Sequence, residues 1–182
     1  MSGAPLVVVI SGPGGVGKGT VVSRLVAADP RLWLSRSWTT RAARPGEAPD
    51  AYEFVDRATF EAHVAADGFL EWAEFLGNLY GSPVPHPPDG CDVLLEIDVQ
   101  GAAQVKERYP DALLVLIDAP SRDEQASRLR ARGDDEASVA RRLAKSEEEV
   151  AAARDLDAVP VVNDDLDRAV DEIRGLVAER RR

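Results

Sequence analysis

Cysteine is nearly absent: Cys91 is the one example in 182 residues. That excludes a disulfide framework and any cysteine-based metal site. Histidine is almost as scarce, and His63 and His86 cannot join Cys91 in a zinc site at any usual spacing. His63 is expected on an exposed or half-buried helix face, and His86 in a proline-rich loop. Lysine is thin too, with Lys18, Lys106 and Lys145 alone, so arginine must carry most of any anion binding. No apolar run approaches membrane-spanning length, and no basic, apolar signal region precedes the first apolar stretch. A soluble, cytoplasmic protein without membrane contact is therefore expected. Positive charge is in deficit, and the net charge of −10 argues against a nucleic-acid or acidic-membrane surface. Internal repeats and low-complexity tracts are absent as well, and nothing identifies a protein partner.

What is present begins at Leu6. Leu6 to Ile10 is a run of five apolar residues, as in a strand of a parallel sheet buried on both faces. Glycines follow at Gly12, Gly14, Gly15 and Gly17, and Lys18 stands where a helix would begin. Strand, glycine-rich loop and helix is the order of a phosphate-binding P-loop. The glycines let the backbone wrap an anion with its N–H groups inward, the helix N-terminus adds partial positive charge, and Lys18 adds a full one. A glycine-rich turn that binds nothing would lack that flanking strand and helix. A strict P-loop carries Ser or Thr directly after the lysine to help hold Mg²⁺, whereas here Gly19 comes first and Thr20 second.

Length favours one domain with a full core. After the first helix, Asp29-Pro30 breaks the pattern and Leu32 to Ser37 reads as one short extended segment. A polar stretch to Asp50 precedes a β-like Tyr52 to Val55. Asp56 then reads as the N-cap of a helix to about Asp67. Phe69 to Phe75 and Leu79-Tyr80 read as strands, and proline and glycine dominate from Ser82 to Gly90. Regular alternation resumes with a strand Val93 to Asp98, a helix Ala102 to Arg108 and a strand Leu113 to Asp118. Ser121 with Glu124 forms a capping box for a helix to Arg132. A helix from about Glu136 to Arg154, a strand Ala158 to Val162 and a helix Leu166 to Arg180 complete the chain. The expectation is an α/β fold with a parallel sheet flanked by helices. The core is expected over about 1–34, 91–120 and 155–182, with an inserted subdomain over about 35–90 and a helical lid over about 121–154.

Ligands in such a sheet gather at the C-terminal ends of its strands, here Ser11, Glu96, Asp98, Asp118 and Asn163. Glu96 and Asp98 are two apart and are expected on one face of the strand, where a carboxylate is costly unless a site uses it. In the insert, Arg41 and Arg44 with Tyr52 and Tyr80 can grip a phosphate through planar, charge-assisted hydrogen bonds. A solvated basic loop paired to Glu47 and Asp50 is the plainer alternative. Arg128 and Arg132 share a helix face. They fit either a phosphate lid or a solvated face with Glu124 paired to Arg128.

Taken together, the runs G-P-G-G-V-G-K-G-T, S-W-T-T-R-A-A-R-P-G-E, F-L-E-W-A-E-F-L-G-N-L-Y-G-S, V-L-L-E-I-D-V-Q-G-A and V-V-N-D-D-L-D closely resemble guanylate kinase, in that family's order and over almost the whole chain. The resemblance implies a P-loop kinase fold and phosphorylation of GMP and dGMP by ATP with Mg²⁺. It implies that Gly12, Pro13, Gly14, Gly15, Val16, Gly17, Lys18, Gly19, Thr20 and Asn163 meet ATP, with Thr20 reaching Mg²⁺ through water. Ser37, Arg41, Arg44, Tyr52 and Tyr80 would hold the GMP phosphate. Glu71 and Ser82 would read the guanine, with Asp98 close to it. A carboxylate can accept from both N1–H and the 2-amino group of guanine, a donor pair that adenine lacks. Lys18, Arg41, Arg128, Arg132 and Arg142 would neutralise the transferring phosphoryl group.

The chain departs from that pattern at Gly19, in the short proline-rich segment after Tyr80, and in the Ala48 to Ala51 loop, which is about one residue short. Two other readings remain at this stage. One is a related P-loop kinase with another small phosphorylated acceptor. The other is a non-catalytic guanylate-kinase-like module that binds proteins.

Overall fold

β1 (Val7–Ser11) is the axis of a five-stranded parallel sheet of order β2-β7-β1-β8-β9. All five residues of β1 are buried, because side chains alternate between faces and both faces are covered. Val8 and Ile10 pack with Val21, Val22 and Leu25 of α1 (Lys18–Ala28) and with Ala169, Val170 and Ile173 of α6 (Leu166–Arg180). Val7 and Val9 face the opposite way, onto Ala102 and Val105 of α3 (Val99–Arg108). Each such valine, leucine or isoleucine side chain contributes roughly 1.5–3 kcal/mol by leaving water. The computed structural model describes residues 4–44, 46–75 and 77–182. Pro45 and Leu76, which belong to the quoted motifs, and the first three residues of the expected core segment lie outside the described residues.

The remaining parallel strands are β2 (Leu32–Leu34), β7 (Asp92–Glu96), β8 (Leu113–Asp118) and β9 (Val159–Val162). The extended segment expected over Leu32 to Ser37 divides. β2 stays in the parallel sheet, whereas β3 (Trp38–Thr39) opens a second one. That second sheet has the order β4-β3-β6-β5, with β4 (Glu53–Phe54), β5 (Phe69–Phe75) and β6 (Asn78–Pro83). β5 has the predicted bounds. β6 runs past the expected Leu79-Tyr80 because Gly81, Ser82 and Pro83 continue to pair with β5.

α2 (Arg57–Ala65) packs Phe60 against Phe69 and Leu79, with Trp38, Val55 and Val64 at the edge of this small aromatic core. His63 is half-buried, as expected, and stacks on Trp38 with ring centroids 4.4 Å apart. Beyond β6, residues 84–88 have no regular structure, and His86 is exposed there. The second sheet is tied to the core through α3. The Trp72 N–H donates to Gln104 Oε1 at 3.3 Å, and Gln104 Nε2 donates to the Trp72 carbonyl at 3.0 Å. A side-chain amide thus satisfies backbone groups on the free edge of β5.

Two helices complete the set, α4 (Arg122–Ala131) and α5 (Glu136–Asp155). Asp56, Ser121, Asp135 and Asp165 cap α2, α4, α5 and α6, each side chain accepting a first-turn N–H. The strand expected to end at Asp98 stops at Glu96 instead. Asp98 is the N-cap of α3 and accepts from the Gly101 N–H at 2.8 Å. Asp98 therefore does not share a strand face with Glu96. α3 also begins three residues before the expected Ala102, since the cap at Asp98 outweighs the low helix propensity of Gly101. At the far end of the sheet, Arg181 bridges Asp29 at 2.5 Å and Asp92 at 2.6 Å, fastening the end of α6 to the end of α1 and the start of β7. Among the described residues, no helix is long and apolar enough to cross a membrane.

Candidate active site

The loop from Gly12 to Gly17 leaves the C-terminal end of β1 and opens into α1. Its shape is set by backbone that other residues could not adopt. Gly12 has φ +143° and passes so close to β8 that an added Cβ would stand 2.2 Å from the Ile117 carbonyl oxygen. Gly17 is the left-handed N-cap of α1, and a Cβ there would meet Asn163 Nδ2 at 2.6 Å. Asn163, just past β9, is buried and donates from Nδ2 to the Val16 carbonyl at 2.8 Å. The Lys18 ammonium folds under the loop, donating to the Gly12 carbonyl and to the Pro13 carbonyl at 3.1 Å. Burial lowers its pKa, opposed by Glu96, Glu149 and Asp98. Thr20 is exposed on α1. Where a Cβ on Gly19 would stand, the nearest atoms are the Glu96 carboxylate oxygens at 3.7 and 3.9 Å.

Two of the three expected lid arginines lie against this loop. Arg128 pairs with Glu124 at 2.8 Å, which is the plainer pairing weighed from sequence. The same guanidinium also donates to the Val16 carbonyl at 3.2 Å and to the Asn163 carbonyl at 3.1 Å, so it clamps the loop as well. Arg142 pairs with Asp134 at 3.4 Å, and its Nη1 stands 3.3 Å from the Cβ position of Gly14. Arg132 caps α4 rather than lying within it and is exposed, with its charge felt at Lys18 and Glu96.

The residues expected to meet the acceptor form two groups. In the first, Arg41 makes a bidentate pair with Glu47 at 2.8 and 2.9 Å. The pairing holds the Glu47 carboxyl down at about 2 and pushes the Arg41 pKa up. The Arg41 guanidinium lies 5.3 Å from the Tyr52 ring centroid, and Tyr52 meets Tyr80 edge-on at 6.2 Å. Burial raises the Tyr52 pKa. Arg41 Nε is buried without a hydrogen-bond partner among the described residues. Arg44 is exposed, and its backbone N–H donates to Glu47 at 2.9 Å.

In the second group, Ser37 and Ser82 bring their hydroxyl oxygens to 3.3 Å, and the Ser82 N–H donates to Glu71 Oε1 at 2.9 Å. Glu71 is 5% exposed, and burial, aided by the Asp98 charge, pushes its carboxyl up to about 7 against the Ser82 hydrogen bonds. Room for that carboxylate exists because α3 has no side chain at Gly101, where a Cβ would meet Glu71 Oε2 at 2.5 Å.

Three residues that matter to this geometry were missed from sequence. Gln125 is 2% exposed and donates to the Gly14 carbonyl at 2.7 Å and to Ser146 Oγ at 2.8 Å, joining the loop to α5. Its position on the face shared with Ala126 and Leu129 was a readable signal. Glu149 sits in a run of glutamates that reads as solvated, yet it is half-buried and acts on Lys18. Gly101 gave no local signal, because its role exists only once β5 lies across α3.

A glycine-rich loop buried between a parallel strand and a helix, with a lysine beneath it and arginines laid against it, places this chain among the P-loop nucleotide-binding proteins. A family model described as guanylate kinase matches residues 5–180. The guanylate kinase of Synechococcus sp. (strain CC9902) is 50% identical over 171 residues, covering 91% of each chain. That of Parasynechococcus marenigrum (strain WH8102) is 47% identical over 175 residues, 93% of this chain and 96% of the relative. The crystal structure of guanylate kinase from Anaplasma phagocytophilum superposes with a TM-score of 0.77 at 31% identity, covering 98% of this chain and 87% of that one. The chain belongs to the guanylate kinase family.

Proposed function

We infer that this protein transfers the γ-phosphoryl group of ATP to GMP, and to dGMP, giving ADP and the nucleoside diphosphate. The observation that carries the reading is Glu71, a buried carboxylate fixed by the Ser82 N–H and given room by Gly101. Ionised, it accepts from N1–H and the 2-amino group of guanine, with Ser82 beside it and Asp98 close. A site built on such bonds rejects a base that lacks the donors by about 10⁴-fold.

Ser37, Arg41, Arg44, Tyr52 and Tyr80 hold the acceptor phosphate in this reading, and the unpartnered Arg41 Nε is suited to one of its oxygens. The donor triphosphate lies along Gly12 to Thr20 with Asn163 beneath the loop. Lys18, Arg128, Arg132 and Arg142 spread positive charge over it. The acceptor oxygen is already ionised, so the transfer needs no general base. A new bond forms from phosphorus to that oxygen as the bond to the ADP oxygen breaks in line. The protein supplies alignment and charge neutralisation. The insert over 35–90 and the lid over 121–154 act as the two closing parts, and their closure excludes water.

No cluster of three or more acidic, histidine or cysteine side chains able to hold a metal occurs among the described residues. The Glu96 carboxylate oxygens, 3.7 and 3.9 Å from the Cβ position of Gly19, are hard donors of the kind that suits magnesium, which arrives on nucleotide phosphates with much of its water and needs few protein ligands. Thr20 and Glu96 would meet that hydration shell. Bound there, the ion would supply charge neutralisation to the phosphates. A cytoplasmic setting accords with a substrate pair of free nucleotides.

The test is ADP release from Mg·ATP with GMP, dGMP, AMP, UMP and CMP offered separately. Turnover with GMP and dGMP and little with the others is expected. Equal turnover with AMP, or none at all in folded protein, would overturn the reading.

A further inference from the structure

Lys145, on α5, extends to the second sheet: its ammonium lies 3.9 Å from the ring centroid of Phe75, the last residue of β5. A cation over an aromatic face at this range is attracted by the ring quadrupole. Phe75 in turn meets Tyr80 edge-on at 6.5 Å, Tyr80 meets Tyr52 at 6.2 Å, and Tyr52 lies under Arg41 at 5.3 Å. A ladder of rings thus runs from Lys145 to the guanidinium proposed to hold the acceptor phosphate.

Lys145 is tied on its other side as well. Its ammonium is 3.9 Å from Glu149, one turn along α5, and that carboxylate acts on Lys18 under the P-loop. Lys145, Glu149 and Asp98 also line a cavity of about 380 Å³ between α3 and α5. An exposed lysine paired one turn away would be ordinary helix-surface chemistry. The Phe75 contact is different in kind, because it joins two elements far apart in the chain, on the two parts proposed to close over different nucleotides.

We propose that Lys145 is a positioning residue that latches α5 to the tip of β5, so that closure over one nucleotide favours closure over the other. This rests on the kinase reading given above. Coupling of this kind is reciprocal: ATP must tighten GMP binding by the factor by which GMP tightens ATP binding. A cation–π contact between half-buried groups such as these accounts for at least about two- to fivefold in such a factor.

The experiment measures GMP affinity by calorimetry with and without a saturating, non-hydrolysable ATP analogue and magnesium. Wild type, Lys145→Met, Lys145→Arg, Phe75→Leu and the Lys145→Met/Phe75→Leu pair are compared. In Lys145→Met the tightening of GMP by the analogue should fall about two- to fivefold, while the affinity for either nucleotide alone stays as in wild type. Lys145→Arg should keep the coupling, and the double variant should lose no more than the worse single. A residue that merely stabilises the fold would shift the single-nucleotide affinities and leave their ratio alone. Unchanged coupling in Lys145→Met, or additive losses in the double variant, would overturn the latch. A wild type that binds neither nucleotide would overturn the kinase reading, and the latch with it.

Discussion

The proposed donor side and the proposed acceptor side of this molecule are built in opposite ways. The loop from Gly12 to Gly17 owes its shape to backbone: positive φ at Gly12, Gly15 and Gly17, and close approach to Ile117 and Asn163. The proposed acceptor side rests on charged side chains held by polar partners, Arg41 by the Glu47 carboxylate and Glu71 by the backbone N–H of Ser82. Backbone pressed against the central sheet is part of the fold, so altering it should damage stability and activity together. Polar side chains on the smaller sheet and its loops can be altered while the fold stands. The difference predicts which kind of damage each substitution causes.

The largest effect is expected at Lys18. Lys18→Met removes the charge beneath the donor loop and should lower kcat by about 10³-fold or more, as loss of a positioned charge does in such reactions. Steady-state ADP release measures it. Gly12→Ala tests the claim that the loop is part of the fold. Its Cβ would stand 2.2 Å from a backbone oxygen at a φ that L residues avoid. A loss of about 3 kcal/mol in urea unfolding is expected, with activity falling alongside. A stable, inactive Gly12→Ala protein would break the comparison on the donor side.

Acidification separates the two sides next. In the proposed reading Glu71 is ionised when it accepts from guanine, and burial pushes its carboxyl up to about 7. The GMP KM should therefore rise about tenfold per pH unit below that value, beyond what the phosphate of GMP itself causes, while the ATP KM stays flat over the same range. The sign for stability is opposite. A carboxyl raised in the folded state binds its proton more tightly there. Its contribution is full below its ordinary unfolded value and is lost as pH rises through about 7. The smallest effect is expected at Glu47. Glu47→Gln leaves Arg41 without its bidentate partner, and the GMP KM should rise several-fold with kcat nearly kept. Equal damage to the ATP KM would show that the two sides are not separable in this way.

The same contrast explains what could be read from the sequence. β1, its glycine loop and α1 announce themselves locally, since an apolar run, spaced glycines and a lysine need no knowledge of distant residues. The bounds of β5, β8 and α6 are likewise legible, from an aromatic-rich run, an apolar run and the regular alternation of strand and helix. The misreadings lie where two signals overlap. Asp98 follows an apolar strand and also precedes a helix, and the cap at Gly101 wins. Leu32 to Ser37 reads as one extended piece, yet Ser35 and Ser37 lie on the path between two sheets. For the site, Glu71 looks like an ordinary strand residue until Ser82 pairs opposite it and Gly101 of α3 passes above. Only the family motif pointed to it. The burial of Gln125 is legible from its helix face, but its bond to Gly14 and the charge that Glu149 brings to Lys18 join parts of the chain that no local pattern links.

The most direct test of the central claim is Glu71→Gln, read as kcat/KM for GMP and for AMP beside a urea unfolding curve at pH 8. The substitution keeps the shape but replaces an acceptor pair with one acceptor and one donor, and it removes a charge that burial disfavours. The account predicts that kcat/KM for GMP falls by about 10² or more, that the small AMP value is unchanged, and that stability is kept or raised. An equal loss with both nucleotides, or full activity with GMP, would contradict it, because the base would then be read elsewhere.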